Sequence, residues 1–236
     1  MRAWSRMAYR VVVAVVALAA CDRPTSPAPA APKDSSVAPV AVRPAVLLIG
    51  TSLTRGYGLD SADAWATHVQ QKADSSGAGF RIVNAGVSGE TSADARHRID
   101  WLLSQGAPAV VMVETGANDA LRLQPVDSIR ANLDAILRRL DSIRPRPVII
   151  VAGMEALPNF GPDYGANFRA IFPAAARAHH AVYLPFLLAG VAGVDSLNQA
   201  DGVHPNAAGS RRVAENVWHT LGPILDSLQR GSHGHL

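Results

Sequence analysis

Ala45-Val46-Leu47-Leu48-Ile49-Gly50-Thr51-Ser52-Leu53-Thr54 is the stretch on which the reading of this 236-residue chain turns. Five apolar residues run without a break into a glycine, and hydroxyl side chains follow. A short apolar run closed by glycine reads as a fully buried strand. In open α/β sheets, ligands bind at the carboxyl edge of the strands. Ser52 therefore falls where a ligand would lie, and Gly50 keeps side-chain bulk away from it. A serine so placed is a candidate nucleophile.

Working outward, four more apolar runs read as buried strands: residues 80–83, 109–113, 148–151 and 181–184. Helical patterns separate them. Ile129, Leu133, Ile136, Leu137 and Leu140 recur at helix spacing, with Arg138, Arg139 and Asp141 on other faces. Residues 64–73 carry Trp65 and Val69; residues 93–103 carry Ile99, Leu102 and Leu103. Phe168, Ile171, Phe172 and Ala175 form a further stripe, which Pro173 is expected to bend or interrupt. Val213, Val217 and Leu221 mark a last helix. Strands alternating with helices predict a three-layer α/β/α domain around a five-stranded parallel sheet.

The chain before this domain has a different character. Residues 1–20 combine Arg2, Arg6 and Arg10 with the apolar run Val11 to Ala20, which is too short to span a bilayer. That is the pattern of a secretory signal. It ends in Leu18-Ala19-Ala20-Cys21, which resembles a bacterial lipobox and implies lipidation of Cys21, the chain's single cysteine. An internal disulfide is thereby excluded. Residues 21–44 are rich in proline and alanine and read as an extended linker with a reach of roughly 70 Å. The domain is expected over residues 45–228 and a disordered tail over 229–236. Without the signal, Lys+Arg falls from 22 to 19 against 19 acids, so the basic balance of the whole chain is not a nucleic-acid footprint.

Serine hydrolysis needs a nucleophile, a base, a group that orients the base, and donors for an oxyanion. The elbow G-x-S-x-G is absent, because Thr54 stands where its second glycine would be, and Ser88 fails at the same place. Near the end of the domain lies Asp201-Gly202-Val203-His204-Pro205-Asn206. A histidine there can take and return the serine proton, and an aspartate three residues earlier can hold its far nitrogen. On spacing alone the same residues serve equally well as loop and cap residues. Two further segments follow predicted strands, Asn84 to Ser92 and Glu114 to Ala120. Gly89 can offer an unobstructed N–H and Asn118 a neutral amide to a developing oxyanion; a tight turn and an Asx cap explain each singly.

Taken together and in this order, Gly50-Thr51-Ser52-Leu53, Gly89, Gly116-Ala117-Asn118-Asp119 and Asp201-Gly202-Val203-His204-Pro205 resemble the GDSL, or SGNH, hydrolase family, across nearly the whole domain. The likeness is closest to the bacterial acyl-thioesterase, lysophospholipase and arylesterase subgroup. It implies a flavodoxin-like sheet of order 2-1-3-4-5. It also implies Ser52 as nucleophile, His204 as base and Asp201 as its orienter, with an oxyanion hole made by the Ser52 and Gly89 N–H groups and the Asn118 side chain. The expected activity is that of an esterase of broad short- to medium-chain specificity, acting on small ester or lipid substrates without metal or organic cofactor. Leu121, Leu123, Met154, Leu157, Pro158 and Phe160 are expected to line the acyl pocket. The chain is expected to be a monomer in the bacterial cell envelope, held to the membrane through Cys21. A carbohydrate or peptidoglycan O-acetylesterase and a non-catalytic envelope lipoprotein are the alternatives. One residue departs from the family signature, which has aspartate where this chain has Thr51.

Other residues receive structural readings. Glu90 and Asp94 are expected in the first turn of a helix, Trp65 and Trp101 in the core, and Asp119 as a support of the Asn118 loop. His97, His179, His180 and His219 have no acid or serine at motif spacing.

Overall fold

The computed structural model describes residues 43–233; the proposed signal, Cys21 and most of the linker lie outside them. Five strands form one parallel sheet in the order β2-β1-β3-β4-β5. They are β1 Ala45–Gly50, β2 Arg81–Gly86, β3 Val110–Val113, β4 Val148–Ala152 and β5 Val182–Leu184. In register, Leu48 of β1 sits between Asn84 of β2 and Met112 of β3. Buried on both faces, β1, β3 and β4 are almost wholly apolar. The edge strand β2 has a neighbour on one side only, and its residues are half-buried or exposed.

Helices cover both faces: α1 Ser52–Arg55, α2 Trp65–Ser75, α3 Ser92–Ser104, α4 Ala117–Leu121, α5 Val126–Asp141, α6 Pro162–Ala178 and α7 Ala207–His233. The stripe Ile129, Leu133, Ile136, Leu137, Leu140 of α5 is completely buried. Each such side chain contributes about 1.5–3 kcal/mol relative to exposure. Among the described residues no helix is long and apolar enough to cross a membrane.

The structure differs from several of these expectations. Pro173 does not interrupt α6, which runs from Pro162 to Ala178. The N–H it lacks would have met the carbonyl of Arg169, an exposed residue whose carbonyl water can satisfy, while Ile171 and Phe172 on either side of that turn are buried. Trp101 is 62% exposed, because Ala95, Ile99 and Leu102 occupy the inward face of α3. Glu90 precedes α3 instead of lying in its first turn; it is buried and ion-paired with Arg98. The tail expected from residue 229 continues α7 to His233, where Gln229 Nε2 donates to the Gly77 carbonyl at 2.9 Å. At the other end the domain already begins at Arg43, which pairs with Asp74, and Pro44, whose carbonyl accepts from Arg81 N–H.

Candidate active site

The predicted residues all lie on loops or helix starts at the carboxyl edge of the sheet. β1 ends at Gly50, and Thr51 caps α1, its hydroxyl accepting from Leu53 N–H at 3.3 Å. Ser52 is then the first residue of α1. Gly50 is obligatory: a Cβ there would lie 2.1 Å from Thr54 Oγ1 and 2.6 Å from Glu114 Oε2. Glu114, at the end of β3, is the anchor of this turn. Its carboxylate accepts from Thr51 N–H at 2.7 Å, from Thr51 Oγ1 at 2.9 and 3.0 Å, and from Thr54 Oγ1 at 2.9 Å. Burial pushes the Glu114 carboxyl up, and these donors oppose that push. Thr51, the departure from the family signature, thus donates its hydroxyl hydrogen bond to a carboxylate reaching across from the neighbouring strand.

His204 meets Ser52 from a loop 152 residues further on: Ser52 Oγ lies 2.9 Å from His204 Nε2. On the other side of the ring, Nδ1 lies 2.7 Å from Asp201 Oδ2. Asp201 Oδ1 accepts from the N–H groups of Val203 at 2.9 Å and His204 at 3.0 Å. Those bonds, led by the one from His204 N–H, hold the Asp201 carboxyl down at about 2. With an anionic oxygen facing Nδ1, the proton of a neutral imidazole sits there, and Nε2 is left to accept from the serine hydroxyl.

The oxyanion candidates sit just beyond the carboxyl ends of β2 and β3, the strands flanking β1. Val87 N–H donates to Gly50 O at 2.8 Å, bringing the loop after β2 alongside α1. Gly89 has φ +80°, a conformation natural to glycine, and the guanidinium of Arg122 donates to its carbonyl at 3.1 Å. Asn118 Nδ2 donates to Glu90 O at 2.9 Å, which orients the amide and leaves its second hydrogen. Asp119 accepts from Ser92 N–H and Oγ at 2.8 and 2.6 Å and so ties α4 to the start of α3. Among the described residues, no acceptor takes the backbone N–H of Ser52 or Gly89.

A cavity of ≈ 360 Å³, lined mainly by apolar side chains, includes in its wall Leu53 and Val203, the chain neighbours of Ser52 and His204. Of the residues named for an acyl pocket, Leu121, Met154, Leu157, Pro158 and Phe160 are among those that line it. Leu123 does not: at φ +50° it turns out to solvent, 57% exposed. Leu53, Phe186, Leu188 and Val203, which the sequence did not single out, also line it. Leu53 follows Ser52 directly and Val203 precedes His204, a proximity that was available as a signal. Among the described residues no group of three or more His, Cys, Asp or Glu is placed to hold a metal ion.

Known proteins resemble this chain over most of its length. A family model described as GDSL-like Lipase/Acylhydrolase matches residues 48–212. Esterase TesA of Pseudomonas aeruginosa is 36% identical over 180 residues, covering 76% of this chain and 89% of that protein. Thioesterase 1/protease 1/lysophospholipase L1 of Escherichia coli K12 is 31% identical over 181 residues, covering 77% and 85%. The crystal structure of the psychrotrophic esterase EstA from Pseudoalteromonas, inhibited by monoethylphosphonate, superposes with a TM-score of 0.73 at 30% identity, covering 77% of this chain and 98% of that one.

Proposed function

The chain belongs to the GDSL-like lipase/acylhydrolase family and is a serine hydrolase of ester bonds, and on that premise we propose that it cleaves short- and medium-chain acyl esters and thioesters through an acyl-enzyme on Ser52. The observation that carries this reading is the unbroken relay Ser52 Oγ–His204 Nε2 and His204 Nδ1–Asp201 Oδ2 beside an apolar cavity. As Ser52 Oγ adds to the substrate carbonyl carbon, its proton passes to His204 Nε2. The carbonyl oxygen becomes an oxyanion, received by the N–H groups of Ser52 and Gly89 and the free hydrogen of Asn118 Nδ2. Each such donor is worth about 2.7–4 kcal/mol in the transition state. The tetrahedral centre collapses, the bond to the leaving oxygen or sulfur breaks, and His204 gives that atom its proton. Water, deprotonated by His204, then adds to the acyl carbon, and Ser52 leaves with its proton restored. Asp201 stays ionised throughout and stabilises the imidazolium formed between the two transfers.

The acyl chain would occupy the ≈ 360 Å³ cavity, whose apolar lining favours an alkyl or aryl acid over a sugar. Each methylene there is worth about 1–3 kcal/mol, so selectivity among chains is gradual. The leader, Cys21 and the proline-rich spacer add the proposal of a lipid-anchored enzyme of the cell envelope, tested by fatty-acid incorporation into wild type and Cys21→Ser.

The catalytic assignment is tested with a fluorophosphonate probe. Wild type should label and Ser52→Ala should not, and labelling that survives Ser52→Ala would overturn the choice of nucleophile. Rates on p-nitrophenyl esters of increasing chain length, on an acyl-CoA and on acetylated xylan distinguish acyl-ester hydrolysis from carbohydrate deacetylation.

A further inference from the structure

Gln199 belongs to none of the motifs, yet its side chain bridges the two loops that carry the reacting pair. Its Nε2 donates to the Tyr57 carbonyl at 2.7 Å and to the Pro205 carbonyl at 2.9 Å. Tyr57 closes the turn after the nucleophile, its N–H donating to Ser52 O at 3.0 Å. Pro205 follows His204. Both neighbours are carbonyl oxygens, so the amide nitrogen must face them, and both of its hydrogens are used. The Gln199 backbone binds the same loop twice more: its N–H donates to His204 O at 2.8 Å, and its carbonyl accepts from Gly202 N–H at 2.9 Å.

Contacts across the two loops leave little slack. The Tyr57 ring lies against the His204 ring with centroids 4.8 Å apart. The crevice between the loops, lined by Ser52, Tyr57, His204 and Pro205 among others, holds only ≈ 10 Å³. On the far side, Gly58 at φ +75° passes so close that a Cβ would lie 2.2 Å from Gln199 Oε1. One side chain therefore links residues 142 apart in the chain and is packed on both sides.

We infer that Gln199 is a positioning residue: it sets the separation of Ser52 Oγ and His204 Nε2 by holding the base loop against the nucleophile turn. This rests on the roles given to Ser52 and His204 above. The inference makes a demand that simple stabilisation of the loop does not. Loosening the brace should slow the chemical step far more than it weakens substrate binding, because only Gly202 and Val203 of the braced loop touch the acyl cavity. Gln199 is not among the residues that line the cavity.

Two variants remove the brace differently. Gln199→Met keeps length and bulk but has no donors, and Gln199→Glu keeps the shape but sets a carboxylate against two carbonyls. Each should lower kcat on p-nitrophenyl butyrate by about 10- to 100-fold, the scale set by misplacement of a reacting group by around 1 Å. KM should stay within about twofold, and fluorophosphonate labelling should slow in proportion to kcat. Gly58→Ala reaches the same amide from the other side, so it and Gln199→Ala should each reduce kcat, with the double variant losing less than the product of the two. Wild-type kcat and labelling rate in a folded Gln199→Met would overturn the inference. So would a KM rise that accounts for the loss, multiplicative losses in the double variant, or loss of folded protein in step with activity across all the Gln199 variants. Ser52→Ala run beside them separates this from the underlying reading: if it still labels, the nucleophile assignment has failed instead.

Discussion

Replacing Thr51 by valine removes one hydroxyl and almost no volume. Thr51 is 1% exposed, and its Oγ1 lies 2.9 and 3.0 Å from the two oxygens of Glu114, which is itself 1% exposed. The variant leaves Glu114 with two donors, Thr51 N–H and Thr54 Oγ1. A hydrogen bond to a charged group contributes about 1.5–3 kcal/mol net. Valine also withdraws the acceptor used by Leu53 N–H, a cap worth about 1 kcal/mol. The expected loss near neutral pH is about 3 kcal/mol, or roughly 6–12 °C in Tm for a domain of this size. The two parts differ in their pH dependence. Burial already holds the Glu114 carboxyl above its ordinary value of 4.5. Losing a donor raises it further, so the folded state keeps a proton that the unfolded state releases. Stability then falls as pH rises above the ordinary carboxylate value, while the cap loss stays constant. Thermal melts near pH 5 and near pH 8 should therefore show a larger gap between wild type and Thr51→Val at the higher pH. Thr51→Asp should show the same trend more strongly, since two carboxylates about 4 Å apart repel by roughly 4 kcal/mol at an effective dielectric of 20 and must share a proton. A gap that is equal at both pH values, or a Tm within about 2 °C of wild type throughout, would refute the account of Glu114 as a buried carboxylate held by these hydroxyls.

Further outcomes follow from other parts of the molecule. Asp201→Asn should cut kcat by around 10⁴ with little change in KM, because an amide no longer selects the tautomer that leaves Nε2 free to accept. In wild type, Asp201 is held at about 2, so the acid limb of a kcat/KM profile should not come from its protonation. His179→Ala should lower Tm by about 4–8 °C, from a screened loss of about 2 kcal/mol, without changing kcat. Its ring nitrogens meet Asp141 at 2.6 Å and Asp134 at 2.8 Å at the amino edge of the sheet, away from Ser52. Burial pushes the Asp141 carboxyl up, but hydrogen bonds from His179 and Arg146 outweigh it and hold it below its ordinary value of 3.8. That stabilisation is present above 3.8 and should fade as pH falls below it. Phe160→Ala should widen the acyl cavity and raise the octanoyl-to-butanoyl ratio of kcat/KM by about tenfold; an unchanged ratio would remove Phe160 from the acyl site.

The features legible in the sequence were those written locally. Runs such as Val110 to Val113 announce buried strands because every residue must be apolar when both sheet faces are covered. The D-x-x-H pattern survives translation into geometry because a single loop carries both residues. What stayed hidden depends on partners far along the chain. Glu114 looked like the first residue of a loop, and only β1–β3 pairing brings Thr51 and Thr54 to it. His179 has no acid at motif spacing, yet meets two aspartates 38 and 45 residues away. Gln199 reaches Tyr57 across 142 residues. Pro173 misled for the complementary reason: its local cost is real, but the burial of Ile171 and Phe172 outweighs it.

The distance along the chain between Ser52 and His204 has a temporal side. At about 5–20 residues per second, a ribosome adds the 152 residues between them in roughly 8–30 s. Through that interval the nascent chain carries Ser52 but not His204, the base proposed for it. On the proposed mechanism, acyl chemistry waits until the loop that carries His204 has closed over the end of the first strand. On that mechanism, phosphonate reactivity at Ser52 reads out closure of the loop that carries His204.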